Sequence, residues 1–187
     1  MIKFLDILKE SDDNIFIPRG SKEEKDKALI RRTNDKIQEY IRNGSEGDLD
    51  LRGSPIRFLP KNLTKVGGKL NLMYSQIEKL PDNLTVNGAL DLERCENLKS
   101  IPDNLRLNGY LDLEKCKNIE SLPNGLKVMS YLDLQGTNIT SLPLDLEVGG
   151  NLILLRTPIA DMYTEEQIRE MVSSVKGRIF VKGRILL

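Results

Sequence analysis

Gly88-Ala89-Leu90-Asp91-Leu92 and, 21 residues on, Gly109-Tyr110-Leu111-Asp112-Leu113 share one Gly-x-Leu-x-Leu frame, from which the rest of the chain can be read outward. Towards the N-terminus the frame returns as Gly68-Lys69-Leu70-Asn71-Leu72 and Gly47-Asp48-Leu49-Asp50-Leu51. Towards the C-terminus it continues as Ser130-Tyr131-Leu132-Asp133-Leu134 and Gly150-Asn151-Leu152-Ile153-Leu154. Successive frames lie 21, 20, 21, 21 and 20 residues apart. Other columns keep the same step. Leu59-Pro60, Leu80-Pro81, Ile101-Pro102, Leu122-Pro123 and Leu142-Pro143 each follow, by three residues, an apolar Ile56, Ile77, Leu98, Ile119 or Ile139. Behind the prolines come Leu63, Leu84, Leu105, Leu126 and Leu146, and then Val66, Val86, Leu107, Val128 and Val148. Columns that stay in step over this length mark an internal repeat.

A coil of about twenty residues has room for one short strand followed by an extended return, and proline suits that return because it lacks an N–H. Alternation along the strand turns the leucines inward and the residues between them outward. No coil buries its apolar face alone, so stability must come from stacking, and the ends must be capped.

The pattern Leu-x-Leu-x-x-(Asn/Cys/Thr)-x-Leu-x-x-Leu-Pro resembles the leucine-rich repeat. The version present, Leu-Pro-x-x-Leu-x-Val-x-Gly-x-Leu-Asp-Leu, is similar to the short class of bacterial effectors and phage proteins, over roughly Gly47 to Leu187. The resemblance implies an α/β repeat, a right-handed solenoid with a parallel concave sheet of 6–7 short strands between an N-terminal helical cap and a C-terminal helix-plus-strand cap. It also implies that Ser54, Ser75, Cys95, Cys116, Thr137 and Thr157 satisfy backbone groups at the turn after each strand. Cys95 and Cys116 are accordingly expected to be buried structural thiols, with a reactive or metal-binding pair as the lesser alternative.

Three segments follow from this reading: residues 1–46 as a helical cap, 47–160 as the solenoid, and 161–187 as a closing cap. Ser21-Lys22-Glu23-Glu24 is a capping box that opens a helix to about Asn43, with Gly44 as its C-cap. Leu29, Ile30, Thr33, Ile37, Tyr40 and Ile41 form its apolar stripe, and a short helix near residues 2–9 and the run Ile15-Phe16-Ile17-Pro18 precede it. Thr164-Glu165-Glu166-Gln167 opens a second helix with a stripe of Ile168, Met171, Val172 and Val175 before Gly177. Ile179-Phe180-Val181 is expected as a seventh strand, with Arg184-Ile185-Leu186-Leu187 either folded back as a hairpin strand or left as an exposed edge open to a homodimer. Helices at both ends are expected to mark a complete small protein.

Composition narrows the function. Lys+Arg and Asp+Glu balance at 28 each, histidine is absent, and aromatics make up 5%. Without histidine the usual general base and the commonest metal ligand are both missing. No Gly-rich phosphate loop, metal-ligand spacing or nucleophile–base pair stands in for them, so a non-enzymatic protein without cofactor is expected. Neither a signal peptide nor a membrane span is legible, and two isolated cysteines fit the reducing cytosol.

The outward residues of the strands define the candidate site. The central column is Asp50, Asn71, Asp91, Asp112, Asp133 and Ile153; Lys69, Ala89, Tyr110 and Tyr131 lie before it; Arg52, Met73, Glu93, Glu114, Gln135 and Leu155 lie after it. One reading is that Asp is duplicated simply with the repeat. The other is a face for a protein partner with a basic patch, anchored by Tyr110 and Tyr131 and ending on apolar Ile153 and Leu155. Capture of a divalent cation by the aspartates is a third. An acidic face disfavours nucleic acid. The resemblance makes a phage or bacterial effector acting on a host defence protein the leading expectation. A sequestering protein for a signalling nucleotide is the alternative, using Lys61, Lys65, Lys79, Lys99 and Arg106 or Arg52, Lys69, Arg94, Lys115 and Arg156. Self-assembly through open solenoid ends is another.

Overall fold

The computed structural model describes residues 21–173 and 180–187. The short helix near residues 2–9, the run at 15–18, and Val175, Gly177 and Ile179 lie outside the described residues. Helix α1 (Lys22–Arg42) comes first. Strands of two residues follow: β1 (Leu49–Asp50), β2 (Lys65–Val66), β3 (Leu70–Asn71), β4 (Thr85–Val86), β5 (Leu90–Asp91) and β6 (Arg106–Leu107). The series continues with β7 (Leu111–Asp112), β8 (Lys127–Val128), β9 (Leu132–Asp133), β10 (Glu147–Val148) and β11 (Leu152–Ile153). Two helices, α2 (Pro158–Met162) and α3 (Glu165–Ser173), precede β12 (Phe180–Val181) and β13 (Ile185–Leu186).

The chain is a parallel-strand solenoid. Seven strands form one sheet in the order β1-β3-β5-β7-β9-β11-β13, each paired in parallel with the next coil. The register follows the repeat frame: Leu49 opposes Leu70, Leu90 opposes Leu111, and Asp112 opposes Asp133. The inward leucines, among them Leu70, Leu90, Leu111, Leu132 and Leu152, are fully buried in one continuous core. Each such side chain contributes roughly 1.5–3 kcal/mol by leaving water.

Two findings revise the sequence reading. Each full coil carries two strands, not one, because the Val column forms further parallel sheets, β2-β4-β6 and β8-β10-β12. The seventh strand of the main sheet is also not at residues 179–181. Phe180–Val181 pairs with β10 in the second layer, and Ile185–Leu186 pairs in parallel with β11. The C-terminal residues are therefore not a hairpin strand; they add a parallel strand at the edge of the main sheet, in keeping with the exposed-edge alternative. Their frame was present as Val181-Lys182-Gly183-Arg184-Ile185-Leu186-Leu187, masked only by the long insertion that holds α2 and α3.

A glycine corner joins the two strands of a coil, and it fixes how closely coils stack. A Cβ on Gly109 would lie 2.6 Å from the carbonyl carbon of Gly88, and one on Gly183 would lie 2.6 Å from that of Gly150. A side chain at these glycines would force the backbone to shift, although the fifth frame carries Ser130 at the equivalent corner.

The turn after each strand uses the ladder that the repeat implies. Cys95 Sγ donates to the Leu72 carbonyl and Cys116 Sγ to the Leu92 carbonyl, both at 3.0 Å. Thr137 Oγ1 donates to the Leu134 carbonyl at 2.7 Å, and Ser54 Oγ accepts from the Ile56 N–H at 3.2 Å. Both cysteines are free and buried, and burial pushes the Cys95 thiol up to about 11 and the Cys116 thiol up further. These are inert thiols. Their coils hold one extra residue, absorbed by turns in which the Leu98 and Ile119 N–H groups donate to the Cys95 and Cys116 carbonyls.

Helix α1 starts at the expected capping box, with Ser21 and Glu24 bonded reciprocally, and ends at Asn43. Gly44 follows at φ +86°, the left-handed turn glycine favours. Only the C-terminal half of the expected stripe meets the solenoid. Thr33 and Ile37 are buried, whereas Leu29 and Ile30 remain exposed. Tyr40 locks that contact: its hydroxyl lies 2.8 Å from the Gly47 carbonyl and accepts the Gly67 N–H at 3.1 Å. At the other end Thr164 and Gln167 form the second capping box, and Ile168 is buried. Helix α2, capped by Thr157, spans the expected solenoid boundary at residue 160.

Candidate partner-binding face

The outward residues of the seven-stranded sheet sit where alternation puts them, and the central column has a structural task. Each of its polar members accepts the backbone N–H two residues on. Asp50 Oδ1 accepts from Arg52 at 3.1 Å, Asn71 Oδ1 from Met73 at 3.1 Å, and Asp91 Oδ1 from Glu93 at 3.4 Å. Asp112 Oδ1 accepts from Glu114 at 2.9 Å and Asp133 Oδ1 from Gln135 at 2.8 Å. These are Asx turns that close the strand. Asn71 performs the task with an uncharged amide, so the fold asks for the oxygen and not for the charge.

Three coils in succession nevertheless carry carboxylates. Asp91 is the most enclosed, 6% exposed, and it is neutralised: Lys69 Nζ lies 2.8 Å from its Oδ2, with Tyr110 Oη at 3.4 Å. Burial works against the Lys69 charge, but the bonds to Asp91 and Tyr110 outweigh it and raise its pKa to about 12. Asp112 and Asp133 have no ion pair among the described residues. Desolvation, then repulsion from Asp133, Asp91 and Glu114, pushes the Asp112 carboxyl up to about 6 despite the Glu114 N–H bond. Asp133 is raised as well, by burial first and then by Glu114 and Glu93, with the Gln135 N–H and Lys115 pulling the other way.

Tyr110 and Tyr131 stack with centroids 4.5 Å apart and planes 10° from parallel. Lys69 Nζ lies 5.4 Å from the Tyr110 ring centre, so the column ahead of the aspartates reads ammonium, ring, ring. Burial and the neighbouring acids keep the Tyr131 phenol protonated well past its ordinary range. On the far side Glu114 accepts from Lys115 and from Gln135 Nε2 at 3.2 Å, and Glu93 faces Arg94 at 3.5 Å.

The structure thus joins Asp91, Asp112, Asp133, Glu93, Glu114, Tyr110 and Tyr131 in the middle coils. Asp50 and Asn71 lie towards α1, Asp50 exposed and Asn71 half-buried; Ile153, half-buried, and Leu155, exposed, lie at the opposite end. No family model, curated protein or solved structure matches this chain. Its chemistry is therefore argued from the face alone.

Sequence reasoning named Lys69 as an outward residue and as a cation for a polyanion but not among the partner-binding residues, although its place one coil ahead of Asp91 was readable from the frame. The cations weighed for a polyanion do not converge. Lys69, Arg94 and Lys115 each pair with a carboxylate of the face, Arg52 lies 3.9 Å from Asp50, and Lys65 and Lys79 pair with Glu46 and Asp82. An open depression of about 530 Å³ lies on the return side and is lined by Asn83, Thr85, Asp103, Asn104, Leu105 and Arg106. Among the described residues no group of three or more Cys, Asp or Glu is placed to hold a metal ion, and no helix is long and apolar enough to cross a membrane.

Proposed function

We propose that this chain is a non-enzymatic leucine-rich-repeat protein that binds a protein partner through its seven-stranded face, with Asp112 and Asp133 receiving cationic side chains beside the Tyr110–Tyr131 stack. The observation that carries the reading is the contrast with Asn71: the Asx turn needs no charge, yet two half-buried carboxylates without a direct ion pair among the described residues are retained next to an enclosed third. A lysine or arginine from outside relieves that repulsion. The apolar Ile153 and Leu155 extend the face, and the resemblance to bacterial and phage repeats makes a host protein, in the cytosol, the class of partner.

The test uses a fluorescein-labelled deca-lysine peptide and the isosteric Asp112→Asn/Asp133→Asn variant. Binding to the parent protein and at least tenfold weaker binding to the variant, at a Tm no lower than the parent's, supports the reading. Equal binding to both removes it. Co-purification from host lysate with mass spectrometry then names the partner.

A second reading, self-association, is favoured by one feature. Strand β13 is the last of the sheet, its Leu186 and the adjoining Leu187 are exposed, and an open strand edge can pair with another copy. Light scattering across a hundredfold concentration range distinguishes it. Lys65, Lys69 and Lys79 are each taken up by a different carboxylate and do not converge on one pocket, which weighs against the nucleotide reading.

A further inference from the structure

Beside the acidic columns runs a rim that the fold makes difficult to build. The residue two after the second leucine of each frame is Gly53, Tyr74, Arg94, Lys115, Gly136 and Arg156, and all six have positive φ, from +56° to +66°. The conformation is imposed because the N–H of Gly53, Tyr74, Arg94, Lys115 and Gly136 must still donate to the next coil, to Met73, Glu93, Glu114, Gln135 and Leu155 respectively, while the chain turns away. Glycine adopts this region freely, and residues with a Cβ do so only under strain. Gly53 and Gly136 show that glycine serves the position. Four coils keep a long side chain there instead, and none of the four is an Asn or Asp, the residues that tolerate the region best.

Core packing does not explain the choice, since Tyr74, Arg94 and Arg156 are exposed and Lys115 is only half-buried. What the side chains build is a surface. Arg94 lies 5.5 Å from the Tyr74 ring centre, and Tyr74 Oη donates to Glu93 at 3.4 Å. In the pairs Arg94–Glu93 and Lys115–Glu114 the cations are the outer members, 42% and 32% exposed against 20% and 23% for the glutamates. Arg156 follows Leu155, so its coil has no glutamate at that place. The rim therefore presents cationic tips to solvent while the carboxylates sit beneath them. Strained backbone kept where a simpler residue suffices points to use of the side chain.

We propose that Tyr74, Arg94, Lys115 and Arg156 form a second contact surface, a rim that takes an acidic polypeptide segment. The Glu93 and Glu114 carboxylates beneath the cations repel any polyanion alike, so the contact rests on the exposed tips of Arg94, Lys115 and Arg156 beside the Tyr74 ring. The proposal goes beyond the acidic face, because it concerns a different column and a partner group of opposite charge.

The test measures binding of a fluorescein-labelled deca-glutamate peptide at low ionic strength, beside a dT10 oligonucleotide. Two variants are compared with the parent: all four rim residues changed to Gly, and all four changed to Asn, which keeps the backbone geometry with less added chain freedom. The parent should bind deca-glutamate, and both variants should bind it at least tenfold more weakly with Tm within about 3 °C of the parent, a shift of roughly 1 kcal/mol for a chain of this size. The Asp112→Asn/Asp133→Asn variant should bind deca-glutamate at least as well as the parent, so loss of the deca-lysine signal and loss of this one are separate results. No binding of deca-glutamate by the parent, preference for dT10, or full retention by both variants overturns the proposal. So does a larger fall in Tm in both variants, which would assign the side chains to packing.

Discussion

The inward and outward residues of the seven-stranded sheet alternate along the same strands, yet they answer to different demands. Leu90, Leu111 and Leu132 are interchangeable and fully buried, and any coil could lend its leucine to the next. Asn71, Asp91, Asp112 and Asp133 share one backbone bond but differ in everything else: charge, exposure and neighbours. The inner column shows what the fold requires. Departures of the outer column from that minimum, three carboxylates where an amide suffices, show what the fold does not require and what a partner would read.

Mutations that separate the two columns should differ in size. Leu111→Ala empties a fully buried position in the middle of the stack, and the expected loss is about 3–5 kcal/mol in urea denaturation; a loss under about 1.5 kcal/mol would break the distinction between columns. Asn71→Ala removes an Asx acceptor without touching a charge and should cost about 1 kcal/mol. Asp112→Ala removes the same bond but also relieves repulsion, so its cost should be smaller than that of Asn71→Ala; the reverse order in melting experiments would mean that the Asp112 charge is not a burden.

The pH dependence sharpens the same point. With its carboxyl raised to about 6, folded Asp112 takes up a proton that the unfolded chain still releases until about pH 4. Ionised Asp112 is thus a destabilising group above pH 6, and the penalty disappears as the pH falls through the window from about 6 to 4. The Tm of the parent relative to Asp112→Asn should accordingly rise on acidification across that window, and a flat difference would refute the raised carboxyl. The smallest effect belongs to Asn71→Asp, which adds an acid beside Asp50 and Asp91: a few tenths of a kcal/mol, lost in 1 M NaCl.

Much of this was legible in the sequence, and for a physical reason. Periodic burial leaves a periodic trace, so the leucine columns, the register, the Cys and Thr ladder and both capping boxes could be placed before any coordinate was known. The second strand layer was missed because x-Val-x-Gly is too short to show alternation on its own. The final coil was misplaced because α2 and α3 interrupt the period, although Gly183-Arg184-Ile185-Leu186-Leu187 repeats the frame faithfully. At the site, the outward residues were named correctly as a column. What the sequence could not reveal was a balance of contacts: that Lys69 neutralises Asp91, that the two tyrosines stack on each other, and that the rim is built from left-handed residues.

The glycine corners have one more consequence, for how such a chain can change its length. Where Gly68, Gly88, Gly109, Gly150 and Gly183 stand, each coil meets the preceding one through the same close backbone approach, so these joints are nearly alike. Copying or removing one whole frame leaves the remaining joints intact, whereas a Cβ added at Gly109 or Gly183 would meet the neighbouring backbone at 2.6 Å. Extension by duplication is therefore the easy route for this architecture, and each added coil would lengthen the acidic column and the rim together, by about 4.8 Å.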